Sequence, residues 1–183
     1  MTTILTTAEH IPGLKEALSN ADPAVRFNAA LDLVKQGDGT GIPILIEAFT
    51  HESGAVRLFH ASKALVQLGR PAVPALTAAL QSDDPQVRID AACTLYQIVP
   101  TQFSSLLPLL AEALQSAAPK VMSDALHFLS VVNEEARKAT VPALLQALQS
   151  TIPAADPEGW VTDVRAPVAI LLAQIGEPVA IIV

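Results

Sequence analysis

The stretch Val25–Pro43, VRFNAALDLVKQGDGTGIP, decides how the chain is read. It opens as a helix, with Ala29-Ala30 small enough for close helix packing, and it breaks at Gly37-Asp38. A new helix starts at Ile42-Pro43. Proline is cheap there, because the first N–H groups of a helix have no partner within it. Just upstream, Asp22-Pro23 has the form of an N-cap followed by the first helical position. One helix, one turn and the start of the next helix therefore lie within a single short segment.

Outward from this stretch the same marks recur. The apolar–Pro pair appears as Ile11-Pro12, Ile42-Pro43, Val73-Pro74, Leu107-Pro108 and Val141-Pro142, at steps of 31, 31, 34 and 34 residues. Seven residues after each apolar member stands Leu18, Phe49, Leu80, Leu114 or Leu148. A second mark follows as Val25-Arg26, Val56-Arg57, Val87-Arg88, Val121-Met122 and Val164-Arg165. The first four lie seven residues beyond that Leu or Phe; the fifth lies sixteen beyond it, so the last unit carries nine extra residues. Each unit reads as two helices. The first opens at its Pro. The second runs from the Val-Arg mark to a breaker at Gly37, Gly69, Pro100, Asn133 or Gly176. Asp22 and Asp84 are expected to start second helices, and Ala29-Ala30, Ala61, Ala91-Ala92 and Ala125 to pack them. One helix pair cannot bury its apolar face alone, whereas stacked pairs share a core. The expectation is an all-α solenoid, a single domain over 1–183 with repeats near 11–41, 42–72, 73–106, 107–140 and 141–177 and an insertion near 151–163.

Val-Arg-x-x-Ala-Ala, then Gly-Asp, then an apolar residue and Pro, resembles the short bacterial HEAT-like repeat of the phycobilin lyase subunits. Val25-Arg26, Ala29-Ala30, Gly37-Asp38 and Ile42-Pro43 show the pattern best, and Val87-Arg88 with Ala91-Ala92 repeats it without the Gly-Asp. The second unit reads as having one extra residue before Ala61, the fourth has Met122 for the Arg, and the fifth has the insertion. The resemblance covers nearly the whole chain. It implies a right-handed α-solenoid, an alpha-alpha superhelix of five helix pairs, whose second helices line a concave surface. The repeat is specific for fold and occurs in many unrelated scaffolds.

Composition bounds the function. The chain has 183 residues and is 51% hydrophobic but only 4% aromatic, so its core is expected to be built mainly from Ala, Leu, Ile and Val. The net charge is −7, and its 11 Lys and Arg form no basic block. Nucleic-acid binding needs clustered positive charge to release counterions, so it is not expected. The one cysteine, Cys93, permits no intramolecular disulfide, which fits a reducing, cytoplasmic setting. The opening MTTILTTAEH lacks the charged and apolar regions of a secretory signal. The most apolar stretch, 166–183, is broken by Pro167, Gly176, Glu177 and Pro178, so no membrane insertion is expected.

Each candidate site has an ordinary structural alternative. Arg26, Arg57, Arg88 and Arg165 form either a ladder for an acidic partner or a structural ladder bonding an Asp or a carbonyl at each inter-helix turn; their fixed position in the repeat favours the second. The second helices carry a polar stripe of Asn28, Asp32 and Lys35; His60, Lys63 and Gln67; Asp90, Thr94 and Gln97; and Asp124 and His127. Beside it stand Phe27, Leu58 and Ile89, with Phe59 and Tyr96 close by. They are either packing between repeats or an apolar groove between polar ridges, the anatomy of a binding patch. His10, His51, His60 and His127 show no metal-ligand spacing, and Cys93 reads as a small buried residue. No phosphate-binding loop and no nucleophile motif is present, so neither catalysis nor a cofactor is expected. Trp160, in the insertion, either sits on a binding loop or folds back over the last repeat. The apolar C-terminal end calls for a cover: the Trp160 loop, a second copy of the chain, or a partner protein.

The expected function is a protein-binding scaffold or adaptor using the concave face, with Phe27, Asn28, Leu58, Phe59, His60, Lys63, Ile89, Asp90, Tyr96, Asp124, His127 and Trp160 as partner-binding residues. The alternative is an accessory protein of phycobilisome biology, a bilin lyase subunit or a degradation factor. An enzyme with a site scattered over several repeats has no residue support.

Overall fold

Val25, Val56, Val87 and Val121 are each the third residue of a helix. The second helices thus begin at one register, and the turn before them explains why. Asp22 accepts the Ala24 N–H at 2.8 Å and Asp84 accepts the Gln86 N–H at 2.8 Å, capping the helices at Pro23 and Pro85 as expected. Asn20, Ser82 and Ser116 support the same turn from two residues further back, accepting the N–H of Asp22, Asp84 and Ala118.

The computed structural model describes residues 7–50, 54–116, 118–149 and 165–175, and among these it contains α-helices, short 3₁₀ turns and no strand. The helices are α1 (Thr7–Ala17), α2 (Pro23–Lys35), α3 (Ile42–Glu47), α4 (Gly54–Leu68), α5 (Val73–Ala79), α6 (Pro85–Ile98), α7 (Phe103–Leu114), α8 (Pro119–Val131), α9 (Glu134–Ala139), α10 (Val141–Gln149) and α11 (Arg165–Ile175). The Trp160 insertion, His51 and the apolar C-terminal end lie outside the described residues, as do the side chains of His10 and Arg165. No helix among the described residues is long and apolar enough to cross a membrane.

The chain divides into two compact units, Met1–Ile98 and Val99–Val183. In the first, α1 packs on α2, α3 on α4 and α5 on α6, while α4 lies between α2 and α6, and α3 neighbours α5. This is the stacked-pair arrangement of a solenoid, with second helices beside second helices. In the second unit α7 pairs with α8 and α10 with α11; α7 meets α10 and α8 meets α11.

The small residues permit this packing. Ala30, Ala61 and Ala92, each five residues after its Val, are fully buried. The second repeat therefore has no extra residue before Ala61. His60 simply stands where the sister helices have Ala29 and Ala91. A second close approach occurs at Gly41, where an added Cβ would lie 2.6 Å from the Ala30 carbonyl oxygen. Gly37 ends α2 with φ +83°, and the Asp38 N–H reaches back to the Leu33 carbonyl at 2.9 Å, closing the helix as glycine does best.

One expectation about the first helices is corrected, and one helix is added. The apolar–Pro pair opens a helix at Ile42, Val73 and Val141, but Pro12 and Pro108 lie inside α1 and α7. The residue of the fourth unit that matches Ile42 and Val73 is Phe103. All three follow a three-residue 3₁₀ turn, at Gly39–Gly41, Arg70–Ala72 and Pro100–Gln102. The longer step to Leu107 thus reflects a longer first helix, 12 residues in α7 against 7 in α5. The other change is an added helix, α9. Asn133 follows the end of α8 at Val131, as a breaker should, but it also accepts the Ala136 N–H at 2.8 Å and starts a further helix that packs on α7, α10 and α11. Glu134 and Glu135 fill its first turn and Arg137 and Lys138 its last, matching the helix dipole at both ends.

Candidate functional site: the second-helix face

The arginine marks are structural where their side chains are described by hydrogen bonds. Arg26 Nη1 donates to the carbonyls of Asn20 and Ala21 at 2.8 and 3.1 Å, and Arg88 Nη1 to those of Ser82 and Asp83 at 2.8 and 3.2 Å. The two contacts are the same in register, so each guanidinium clasps the turn leading into its own helix. Arg57 adds a link between repeats, since its guanidinium lies over the Phe27 ring, 5.5 Å from the centroid. Sequence reading missed an equivalent clasp. Arg137 donates to the Leu129, Ser130 and Val132 carbonyls and holds the C-terminal end of α8.

The Gly-Asp mark is structural as well. Asp38 accepts from the Thr40 N–H at 2.9 Å, from Thr40 Oγ1 at 2.6 Å and from Lys15 Nζ at 2.8 Å. The Lys15 ammonium, followed by the two Thr40 donors, holds the Asp38 carboxyl at about 2, below its ordinary 3.8. Lys15 belongs to α1, so this ion pair ties the first helix to the loop that closes α2.

The expected binding residues divide sharply. Ile89 is fully buried and Phe27 nearly so; both pack between helices rather than lining an open groove. Asp90 and Thr94 correct the polar stripe in the same way. Both are buried in α6, where Gln86 Nε2 donates to Asp90 Oδ2 at 2.9 Å and Thr94 Oγ1 to the Asp90 carbonyl at 2.8 Å. Leu58 and Tyr96 are half-buried. On α2, Asn28, Asp32 and Lys35 are exposed, with Lys35 3.4 Å from Asp32.

The open part of the face is on α4. Phe59 is 61% exposed and Val56 71%. Lys63 Nζ lies 5.9 Å from the Phe59 ring centroid, and the exposed His60 ring stands edge-on to the same ring at 5.6 Å. These residues share one side of the helix at spacings of three, four and seven. At the N-terminal ends of α2 and α4 opens a cleft of about 390 Å³, lined by Pro23, Arg26, Phe27, Glu47, Ala48 and Arg57 among others. In the C-terminal unit, α8 carries the exposed His127 and an ion pair between Lys120 and Asp124 at 2.6 Å. Among the described residues, no three of His, Cys, Asp and Glu gather as a metal site.

A family model of HEAT repeats matches residues 11–97 and again 42–130, spanning most of the helix pairs described above. The chain belongs to the HEAT-repeat family. The first match runs through the Val-Arg marks of α2, α4 and α6 and the alanines behind them, and the second through those of α4 and α6 and on into α8. No curated protein matches the sequence.

Proposed function

We propose that this HEAT-repeat chain is a protein-binding scaffold, acting by binding rather than by catalysis, and that the α4 face of its N-terminal unit carries a contact. HEAT repeats commonly serve as protein-interaction scaffolds. The observation that carries the reading is Phe59, a large aromatic left 61% exposed in the middle helix of a packed row. Its ring keeps apolar surface in water, although a low-aromatic chain has few such rings to place. Aromatic side chains in that setting are typical anchors of protein interfaces. Asn28 on α2 and His60 and Lys63 on α4 supply the polar rim.

The narrower reading, an accessory role in phycobilisome biology, draws on the Val25-Arg26, Ala29-Ala30, Gly37-Asp38 and Ile42-Pro43 pattern and names a phycobiliprotein as the partner. One experiment tests both. The tagged chain, used as bait in extracts of the organism that encodes it, is expected to retain a defined protein identified by mass spectrometry. A bait that retains nothing above a control lacking the chain contradicts the scaffold reading. A partner other than a phycobiliprotein removes the narrower one.

A further inference from the structure

We infer that the exposed face of α4 recognises an acidic peptide segment, one that places an apolar side chain on Phe59 and Val56 and carboxylates beside Lys63 and His60. The inference rests on the scaffold reading and specifies the chemistry of the partner. Three observations carry it. First, α4 contains Arg57, His60 and Lys63 and no Asp or Glu, within a chain whose net charge is −7. Second, Glu47 on α3 lines the same cleft as Arg57, so the charge this face offers beside Phe59 is that of Lys63, and the carboxylates of the two flanking second helices are engaged on their own helices. Asp32 on α2 lies 3.4 Å from Lys35, and Asp90 on α6 is buried with the Gln86 amide on one oxygen. Third, the cationic and apolar groups form one patch, because the Lys63 ammonium and the His60 ring both lie against the exposed Phe59 ring.

Such a patch is complementary to an apolar anchor flanked by negative charge, and complementarity of this kind sets both specificity and encounter rate. Other occupants fit less well. A second copy of the chain meeting this face symmetrically would bring Lys63 and Arg57 against their own kind. A nucleic acid would meet a chain of net negative charge through one short run of cations. The departure is also specific to the second repeat. At the position of His60 the sister helices bury Ala29 and Ala91, and at the position of Phe59 they carry Asn28 and Asp90.

The test is selection of a phage-displayed library of random dodecapeptides on the intact chain, followed by fluorescence polarisation with the winning peptides. The expected consensus has an aromatic or large aliphatic residue flanked by Asp or Glu. Its affinity is expected to fall at least tenfold on Lys63→Glu and on Phe59→Ser, and at least fivefold when the peptide carboxylates are replaced by amides. Both substitutions are at exposed positions, and thermal melts matching the wild type confirm that binding is lost without unfolding. A consensus that is basic or wholly apolar, no enrichment at all, or binding unchanged in both variants overturns the inference. So does sedimentation showing a dimer that Phe59→Ser dissociates. The scaffold reading fails separately. If a partner captured from extracts is still held by the Phe59→Ser, Lys63→Glu double variant, the α4 inference falls and the scaffold reading stands.

Discussion

The Arg57 guanidinium sits over the Phe27 ring, 5.5 Å from its centroid, so the mark of one repeat covers the aromatic residue of the repeat before it. A partly exposed cation–π contact is worth about 0.5–1 kcal/mol. Arg57→Ala is expected to lower the stability of the chain by that amount, whereas Phe27→Ala, which empties a core position, costs about 3–5 kcal/mol. Urea denaturation of the two single variants and the double variant measures the coupling. Strict additivity would mean that the stacked geometry contributes nothing.

Gly41 offers a sharper test of packing. A Cβ at this position meets the Ala30 carbonyl oxygen at 2.6 Å and the Ala30 Cα at 2.8 Å. Gly41→Ala is therefore expected to destabilise the N-terminal unit by about 1–3 kcal/mol, the usual range for overpacking. The clash is with backbone, so adding Ala30→Gly does not restore the loss. Rescue by that second change would show that the contact had been with the Ala30 side chain.

How much of this was legible beforehand depends on what each residue answers to. The helix starts at Pro23 and Pro85 and the packing alanines at 30, 61 and 92 follow from local chemistry and a fixed spacing, and the sequence displays both. Phe103 was hidden because Leu107-Pro108 imitates the other helix starts from one turn further inside. The helix α9 was hidden because Asn133 reads equally as a stop and as a cap. The sharpest divergence is between Asn28, Phe59 and Asp90. They share one repeat position, yet the first two are exposed and the third is buried. Burial at that position is decided by the neighbouring helices, which no single repeat encodes.

Asp38 predicts a pH dependence. Its folded carboxyl is held at about 2 by Lys15 and Thr40, against an ordinary 3.8. A depressed carboxylate contributes stability that is complete above its unfolded value and is lost as pH falls through its folded value. Wild type is therefore expected to melt above Asp38→Asn at pH 5, with the gap shrinking between pH 4 and pH 2. Thermal melts across that range check it, and Lys15→Met should narrow the gap in the same window. A gap that stays constant down to pH 2 would rule out the ionised carboxylate as its source.

The clasp at Arg88 is expected to matter for stability and not for binding. Arg88→Ala leaves the Ser82 and Asp83 carbonyls without their guanidinium donor and is expected to cost about 1 kcal/mol, scaled down for solvent access. Arg88→Lys should recover only part of this, because the planar guanidinium fixes the directions of the two Nη1 N–H bonds, whereas the lysine ammonium sits on a shorter stem and rotates freely. Denaturant titration reads the stability, and polarisation with the selected peptides reads the binding. A loss of peptide affinity at unchanged stability would instead favour the reading of the arginines as a ladder for an acidic partner.

Arg26 and Arg88 reach back only five and six residues for their acceptors, and both acceptors lie in the turn of the same helix pair. Each of these two pairs thus carries its own clasp. If such a stretch of gene is duplicated or deleted at the boundary before Ile42 or Val73, the clasp travels with its turn and no cation is stranded. Arg57 over Phe27 behaves differently, since it binds one pair to another and is broken by any exchange between them. In such an array, copying is cheap in internal structure, and selection after each copy falls on the contacts that join one unit to the next.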